Sequence, residues 1–454
     1  MIPTTITAKI FSSLGNSSSL LPLGIKDAGH SLGMTTGSYI TGDKVEGKDR
    51  FIDEFGAEAI WLGGIPAYKK LIDWTLYKVA KYNPKIDIRI LKNKEILEKA
   101  KHYAPENLKS SFEKVANNQK MFKGLFMAKF IAATALTLGS YSALTHFRHK
   151  QTEKEVMKEL VKEEQQKNLS FNALNKTEVK KSKFGPAFGM NFSKGISDFM
   201  FNPVKNMMIV DGGITGDRLA ESRSPQDFMG YVVKEGSFWM FMYFAGDKIQ
   251  SFFENRAKSK HNKSIDLDIR VLQNDELKKS FETKQVDGHL ADFAKNKTDV
   301  EIYKFVNEHP ENLVVKMAKE SGIISTLDES NNFIKKVASK LGIGSKPKKT
   351  EAVDTQKYIE LADVKSVHDK IEKLHNEFKE ANLKGETVDT FLKQATKLKR
   401  FAIMKNIGAC VGVLGVVVPG IMVAIRLAKK DNKEFQVKKA VKEKLMAQNF
   451  QGVV

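Results

Sequence analysis

The sequence predicts a mainly α-helical, tandemly duplicated membrane protein with two to four membrane segments and lysine-rich soluble helices. Three observations predict this class: short motifs recur in order in both halves, two long segments are apolar, and Lys alternates with Glu in between. At 41% hydrophobic residues the 454-residue chain is too apolar for a disordered protein, and at 28% charged residues it is too polar for a compact multi-span bundle.

The duplication is read from four matches that occur in the same order in both halves. ITGDK at 40–44 returns as ITGDR at 214–218, Trp61 as Trp239, DIRIL at 87–91 as DIRVL at 268–272, and PENL at 105–108 as PENL at 310–313. The separation between matched motifs only grows along the chain, so the second copy carries the insertions. We therefore expect copy one at 1–170 and an enlarged copy two at 171–446, with an insertion at about 322–400.

Each copy ends in an apolar segment. The segment 406–425 carries no charge over twenty residues, enough at 1.5 Å per residue to cross a hydrocarbon layer of about 30 Å. Its equivalent in copy one, about 124–145, is weaker because only Phe130–Thr145 is uninterrupted. Small residues four apart, such as Ala135-Gly139-Ala143 and Gly408-Gly412, lead to the hypothesis that these two helices pack together.

A shorter apolar segment precedes each DIR motif, at 57–68 and at 236–246. Runs of this length fit re-entrant, interfacial and buried helices equally well. Extending the second one backward produces a nineteen-residue stretch only by enclosing Lys234 and Glu235. The chain therefore has two segments that we expect to span a membrane and two segments that fit several placements. The expected localisation is a membrane that the chain crosses more than once.

The remaining elements are assigned from local patterns. In residues 1–24 serines interrupt the apolar run, and this region is expected to be unstructured. Thr152 followed by Glu155 fits a capping box that begins a charged helix at 152–168. Alternation of apolar and charged residues in both DIR motifs predicts short paired strands. Apolar residues spaced three and four apart over 364–381 predict an amphipathic helix that packs within the chain or on a partner helix.

The charge balance indicates the partner. The chain has 74 Lys and Arg against 54 Asp and Glu, a net charge of +20. Because the charges alternate in sign and crowd the flanks of the apolar segments, an anionic lipid membrane is the expected partner and nucleic acid is not. The basic tail 429–454 is a candidate lipid-facing helix through four lysines: Lys438, Lys439, Lys442 and Lys444.

Known catalytic and cofactor-binding motifs do not indicate a reaction for this sequence. Phosphate-loop, dinucleotide-binding, zinc-protease and CxxC patterns are missing from the sequence, and its single cysteine, Cys410, lies in an apolar segment. We therefore expect no enzyme activity, cofactor or metal. The repeated ITGD motif is typical of a structural turn, and its alternative is a polar site at the repeat axis formed by Asp43, Lys44, Asp217 and Arg218.

Two functions are compatible with these features. A membrane-anchored scaffold or interaction protein is favoured, because catalytic patterns are missing while amphipathic helices are abundant. The alternative is a small-solute or ion transporter, or a pore, formed at the interface of two parallel repeats.

Overall fold

The computed structural model describes residues 6–16, 19–41, 44–166, 202–220, 222, 225–328 and 349–428. The chain is mainly helical, which confirms that part of the predicted class. Two compact units are present: unit 1 comprises Met1–Ser17, Asp73–Ala128 and Ile249–Asn406, and unit 2 comprises Ser18–Ile72, Lys129–Lys248 and Ile407–Val454. Each unit therefore combines segments from both halves of the sequence.

The helices of the first half are α1 (Ile6–Leu14), α2 (Leu20–Thr41), α3 (Lys44–Ala59), α4 (Ile65–Ile72), α5 (Lys78–Ala80), α6 (Lys94–His102), α7 (Glu106–Asn117) and α8 (Gln119–Gln166). Those of the second half are α9 (Pro203–Ala220), α10 (Pro225–Trp239), α11 (Ala245–His261), α12 (Ile269–Leu272), α13 (Asp275–Glu282), α14 (Val286–Phe293), α15 (Asp299–Glu308), α16 (Leu313–Glu320), α17 (Leu361–Leu383), α18 (Val388–Gly412) and α19 (Val418–Ala428). Strand β1 (Thr326–Asp328) pairs antiparallel with β2 (Lys349–Val353).

In the part of the chain that the structure describes, four π-helical turns continue these helices without a break. They are Ile60–Gly64, Asp73–Tyr77, Met240–Phe244 and Val413–Val417. The short apolar segments 57–68 and 236–246 each contain one of these turns, so both are parts of longer helices. Such turns shift the backbone register and often mark functional positions.

Within the described ranges, two helices are long and apolar enough to cross a membrane, Gln119–Glu159 and Val388–Ala424. The predicted segments 124–145 and 406–425 fall on these helices, and the second segment extends one residue past Ala424.

Unit 1 is built around one apolar core. The 3-4 spacing predicted at 364–381 is confirmed by α17, whose inward face is buried in this core through Val364, Val367, Ile371, Leu374 and Phe378. Full burial of each such side chain contributes about 1.5–3 kcal/mol.

The strand prediction for the two DIR motifs is wrong. Ile88–Lys92 is a 3₁₀ turn and α12 covers the second motif, because the Asp of each motif caps the turn that follows it. Asp87 accepts a hydrogen bond from the Arg89 amide at 2.9 Å, and Asp268 accepts one from the Arg270 amide at 2.8 Å. Alternation over five residues does not separate a strand from a capped turn.

Two further local expectations are corrected. Helix α1 and the start of α2 occupy much of the region 1–24 that was expected to be unstructured. The capping box at Thr152 does not form, because α8 runs through this position. The Thr152 hydroxyl instead donates to Asp49 Oδ1 at 2.6 Å.

Close helix packing in unit 2 occurs at α2. A Cβ added at Gly33 would lie 2.1 Å from the Gly415 carbonyl oxygen, and one added at Gly415 would lie 2.7 Å from that of Gly29. At Gly139 and Gly412 an added Cβ would meet no atom within 4 Å. The hypothesis that 124–145 packs closely on 406–425 through these glycines is therefore wrong. The C-terminal segment packs closely on the GxxxG face of α2 instead.

Candidate functional site: a charge cluster inside unit 2

Among the described residues of unit 2, eight charged side chains are buried together. They come from four helices: Asp49, Arg50, Asp53 and Glu54 from α3, Arg148 from α8, Arg218 from α9, and Lys234 and Glu235 from α10. We call this set the charge cluster. The four residues of α3 share one face because positions three and four apart lie side by side on a helix.

Asp53 is the centre of the cluster and is 1% exposed. Its carboxylate lies 3.0 Å from Arg148 Nη1 and 3.3 Å from Arg218 Nη2. The Tyr141 hydroxyl donates to the same carboxylate at 3.0 Å. Lys234 Nζ of α10 lies 3.9 Å from it, so four helices meet at one acid.

A second group of contacts joins α10 to the cluster. Lys234 Nζ lies 2.7 Å from Glu54 Oε1 and 3.2 Å from Glu235 Oε1. Arg218 donates to Glu235 at 2.6 Å and to the Tyr141 hydroxyl at 2.7 Å. These are short, charge-assisted contacts between groups removed from water.

The cluster is balanced, with four basic and four acidic side chains. Removing one partner of a buried ion pair costs about 3–5 kcal/mol, because the other charge is left uncompensated. The cluster therefore either holds the helices in one arrangement or forms a charged path between them.

A small cavity borders the cluster. Its volume is about 20 Å³, which is room for about one water molecule. Charged or titratable side chains line it, namely Asp27, His30, Glu54, Asp211, Arg218, Lys234 and Glu235. Two of these acids are held by neutral donors: the Trp61 indole donates to Asp27 at 2.8 Å, and the Tyr243 hydroxyl donates to Asp211.

The predicted repeat-axis site is brought together only in part. Arg218 is in the charge cluster, Asp217 is half-buried beside it in sequence, and Lys44 is exposed at the start of α3. Asp43 lies outside the described residues. The lysines of the basic tail, Lys438, Lys439, Lys442 and Lys444, also lie outside them.

Sequence reasoning missed most of the cluster. One signal was present: Lys234 and Glu235 interrupt a stretch that is otherwise apolar. A charged pair there is expensive in a membrane unless it is partnered, which is a reason to look for partners on other helices. The partners on α3 and α8 are distant in sequence and carry no shared motif.

Helix α2 also carries the residue spacing of a serine-nucleophile motif. Gly29-His30-Ser31-Leu32-Gly33 matches the GxSxG spacing of hydrolase nucleophile elbows. That motif requires a sharp strand-to-helix turn that exposes the serine, whereas Ser31 lies inside α2 and is fully buried. The spacing therefore does not produce a nucleophile here.

Unit 1 offers two weaker candidates. A cavity of about 210 Å³ lies between α1, α12 and α17, but its acids are already engaged: Ser12 donates to Asp268 at 2.6 Å and Lys373 to Asp266 at 2.5 Å. In the described part of the chain, one group of metal-type ligands lies within 4.8 Å, namely His368, Asp369 and Glu372. Both carboxylates of that group are exposed to solvent.

No known protein family, curated protein or solved structure matches this chain.

Proposed function

We propose that the chain is an integral membrane protein, tandemly duplicated, whose unit 2 lies in the bilayer and carries an ion or small solute along the charge cluster. The observation that carries this proposal is the cluster itself. Charged groups inside membrane segments are costly, and where they occur they commonly mark ion paths and proton relays. A simple anchor has no need of eight such groups.

The surface of unit 2 supports its placement in the bilayer. Large apolar side chains point outward from several of its helices, among them Leu32, Ile40, Phe51, Ile131, Phe147, Met229, Met240 and Val416. A water-soluble protein places apolar side chains inside and charges outside. Unit 2 has an apolar coat around a charged interior, which suits a hydrocarbon environment.

Local geometry supports the duplication. The equivalent residues Asp87 and Asp268 cap the turns of the two DIR motifs, and Asn93 and Asn274 cap the next helices in the same way. The π-helical turns at Ile60–Gly64 and Met240–Phe244 also lie near the matched tryptophans: the first turn contains Trp61 and the second begins directly after Trp239. Capped turns and π-helical turns at corresponding places are expected if both copies descend from one ancestral unit.

Flux through vesicles tests the proposed function. The full chain is reconstituted in liposomes under a potassium diffusion potential, and ion movement is followed for H⁺, Na⁺ and K⁺. We expect flux in the wild type and at least a tenfold loss in Glu235→Gln, because that change unbalances the cluster. Asp247→Asn is the matched control, since Asp247 is an exposed acid at the start of α11.

The scaffold is the second candidate, and one observation favours it. Unit 1 has its own apolar core and a lysine-rich exterior, as expected of a module that contacts partners. If wild-type vesicles carry none of the three ions while the protein remains inserted, the transport proposal fails and the scaffold is retained.

A further inference from the structure

His30 is the least satisfied titratable side chain at the cavity. It is 1% exposed, and its ring packs on Phe238 with a centroid distance of 5.4 Å. Its Nδ1 lies 3.2 Å from the carbonyl oxygen of Leu414, in a π-helical turn. Since a carbonyl only accepts, Nδ1 carries the hydrogen and the lone pair is on Nε2.

Nε2 has no hydrogen-bond partner among the described residues. A buried acceptor without a donor is costly, so this atom needs a proton, a water or a cation. The cavity that His30 lines has room for about one water, which is too little for a hydrated metal ion. Within the described chain the one gathering of metal-type ligand atoms lies elsewhere, on α17.

Charged groups face His30 from every helix that lines this cavity. They are Asp27 on α2, Glu54 on α3, Asp211 and Arg218 on α9, and Lys234 and Glu235 on α10. Among the described residues neither Asp27 nor Asp211 forms an ion pair, whereas Glu54 and Glu235 are paired with the bases of the cluster. Two acids outside any ion pair that share a cavity with a bare imidazole nitrogen are the components of a proton relay.

We propose that the ion carried through unit 2 is the proton, and that His30 Nε2 is the site that binds it. This proposal rests on the proposed transport function and names its substrate. A carboxylic acid at the cavity, Asp27 or Asp211, releases a proton directly or through the water, and its O–H bond breaks as the Nε2–H bond forms. The imidazolium then passes that proton from Nε2 to the other of these two residues, whose carboxylate accepts it. Nδ1 keeps its hydrogen bond throughout, and one positive charge is moved without oxidation or reduction.

The test compares two identical substitutions in vesicles that contain the full chain. His30→Asn keeps a side-chain amide able to donate to the Leu414 carbonyl but has no titratable nitrogen. His146→Asn is the control, since His146 is exposed on α8 in the same unit. Proton entry is read from an internal pH dye under a potassium diffusion potential, and Na⁺ and K⁺ fluxes are measured alongside. The elution profile in detergent checks the fold, and His30→Gln replaces the first variant if that one aggregates.

We expect the His30 variant to lose at least tenfold in proton flux while His146→Asn keeps the wild-type rate. A folded His30 variant with wild-type proton flux overturns the proposal. Wild-type transport of Na⁺ or K⁺ without H⁺ also overturns it, yet leaves the transport function standing. Absence of all three fluxes in the wild type removes the transport function and this proposal together.

Discussion

Replacing Arg218 with Met tests whether the charge cluster is one interacting unit. The guanidinium lies 2.6 Å from Glu235, 2.7 Å from the Tyr141 hydroxyl and 3.3 Å from Asp53. Its removal leaves buried carboxylates short of a cation, so we expect Arg218→Met to lower the free energy of unfolding by about 3–5 kcal/mol. Glu235→Met leaves Arg218 and Lys234 short of an anion, so it should lower the free energy of unfolding by a similar amount.

The double variant tests the energetic coupling between Arg218 and Glu235 more directly than either single variant. Arg218→Met combined with Glu235→Met removes one charge of each sign, so the remaining groups stay balanced. We expect its cost to fall below the sum of the single costs by about 1–3 kcal/mol. Unfolding is followed by circular dichroism in mixed detergent micelles.

Lys48→Met is the matched control for this cycle. Lys48 pairs with Glu155 at 3.0 Å in the same unit, but its side chain is 56% exposed. Water screens such a pair, so the expected cost is at most about 1 kcal/mol. If Arg218→Met costs no more than this control, or if the two cluster variants are additive, the cluster is not a coupled buried network.

Two further predictions concern packing and pH. Gly33→Ala should destabilise unit 2 by about 1–3 kcal/mol, because the new Cβ would lie 2.1 Å from the Gly415 carbonyl oxygen. Gly63→Ala, which meets no atom within 4 Å, should not lower the thermal midpoint, and equal losses for both variants would contradict this account. In unit 1, burial and then the Lys379 ammonium lower the pKa of His375, so its neutral form is favoured in the folded state. That stability is fully present above the unfolded pKa of about 6.5 and is lost as the pH falls through the folded-state value. The protection factors of the α17 amides, which correct for the slower intrinsic exchange at low pH, should therefore fall from pH 7 to pH 5, and His375→Gln should abolish this fall.

The sequence alone was sufficient to predict a helix where the pattern within one segment determines its structure. The charge-free run at 406–425 and the 3-4 spacing at 364–381 are local patterns, and both fall on helices. The DIR motifs failed because five alternating residues fit a strand, while a single Asp that accepts from the amide two residues on favours a turn.

The charge cluster lies beyond such reasoning for a physical reason. Its members are far apart in sequence, and each one alone resembles an ordinary surface charge on a lysine-rich helix. Only the packing of α3, α8, α9 and α10 makes Asp53, Arg148, Arg218 and Lys234 neighbours. Of the residues predicted at the repeat axis, Arg218 alone among those described joins this cluster, because the ITGD motif does not encode the partners of its last residue.

The measurement that tests the central claim most directly is the solvent accessibility of the coat of unit 2 in a bilayer. Cys410→Ala removes the single natural cysteine, and nitroxide labels are then placed one at a time at Leu32, Ile131 and Leu383, which are 58%, 59% and 89% exposed. The account predicts that labels at Leu32 and Ile131 collide with lipid-soluble oxygen and are shielded from a water-soluble nickel complex, whereas the label at Leu383 in unit 1 meets the nickel complex freely. Equal access of the nickel complex to all three labels would contradict the placement of unit 2 in the membrane.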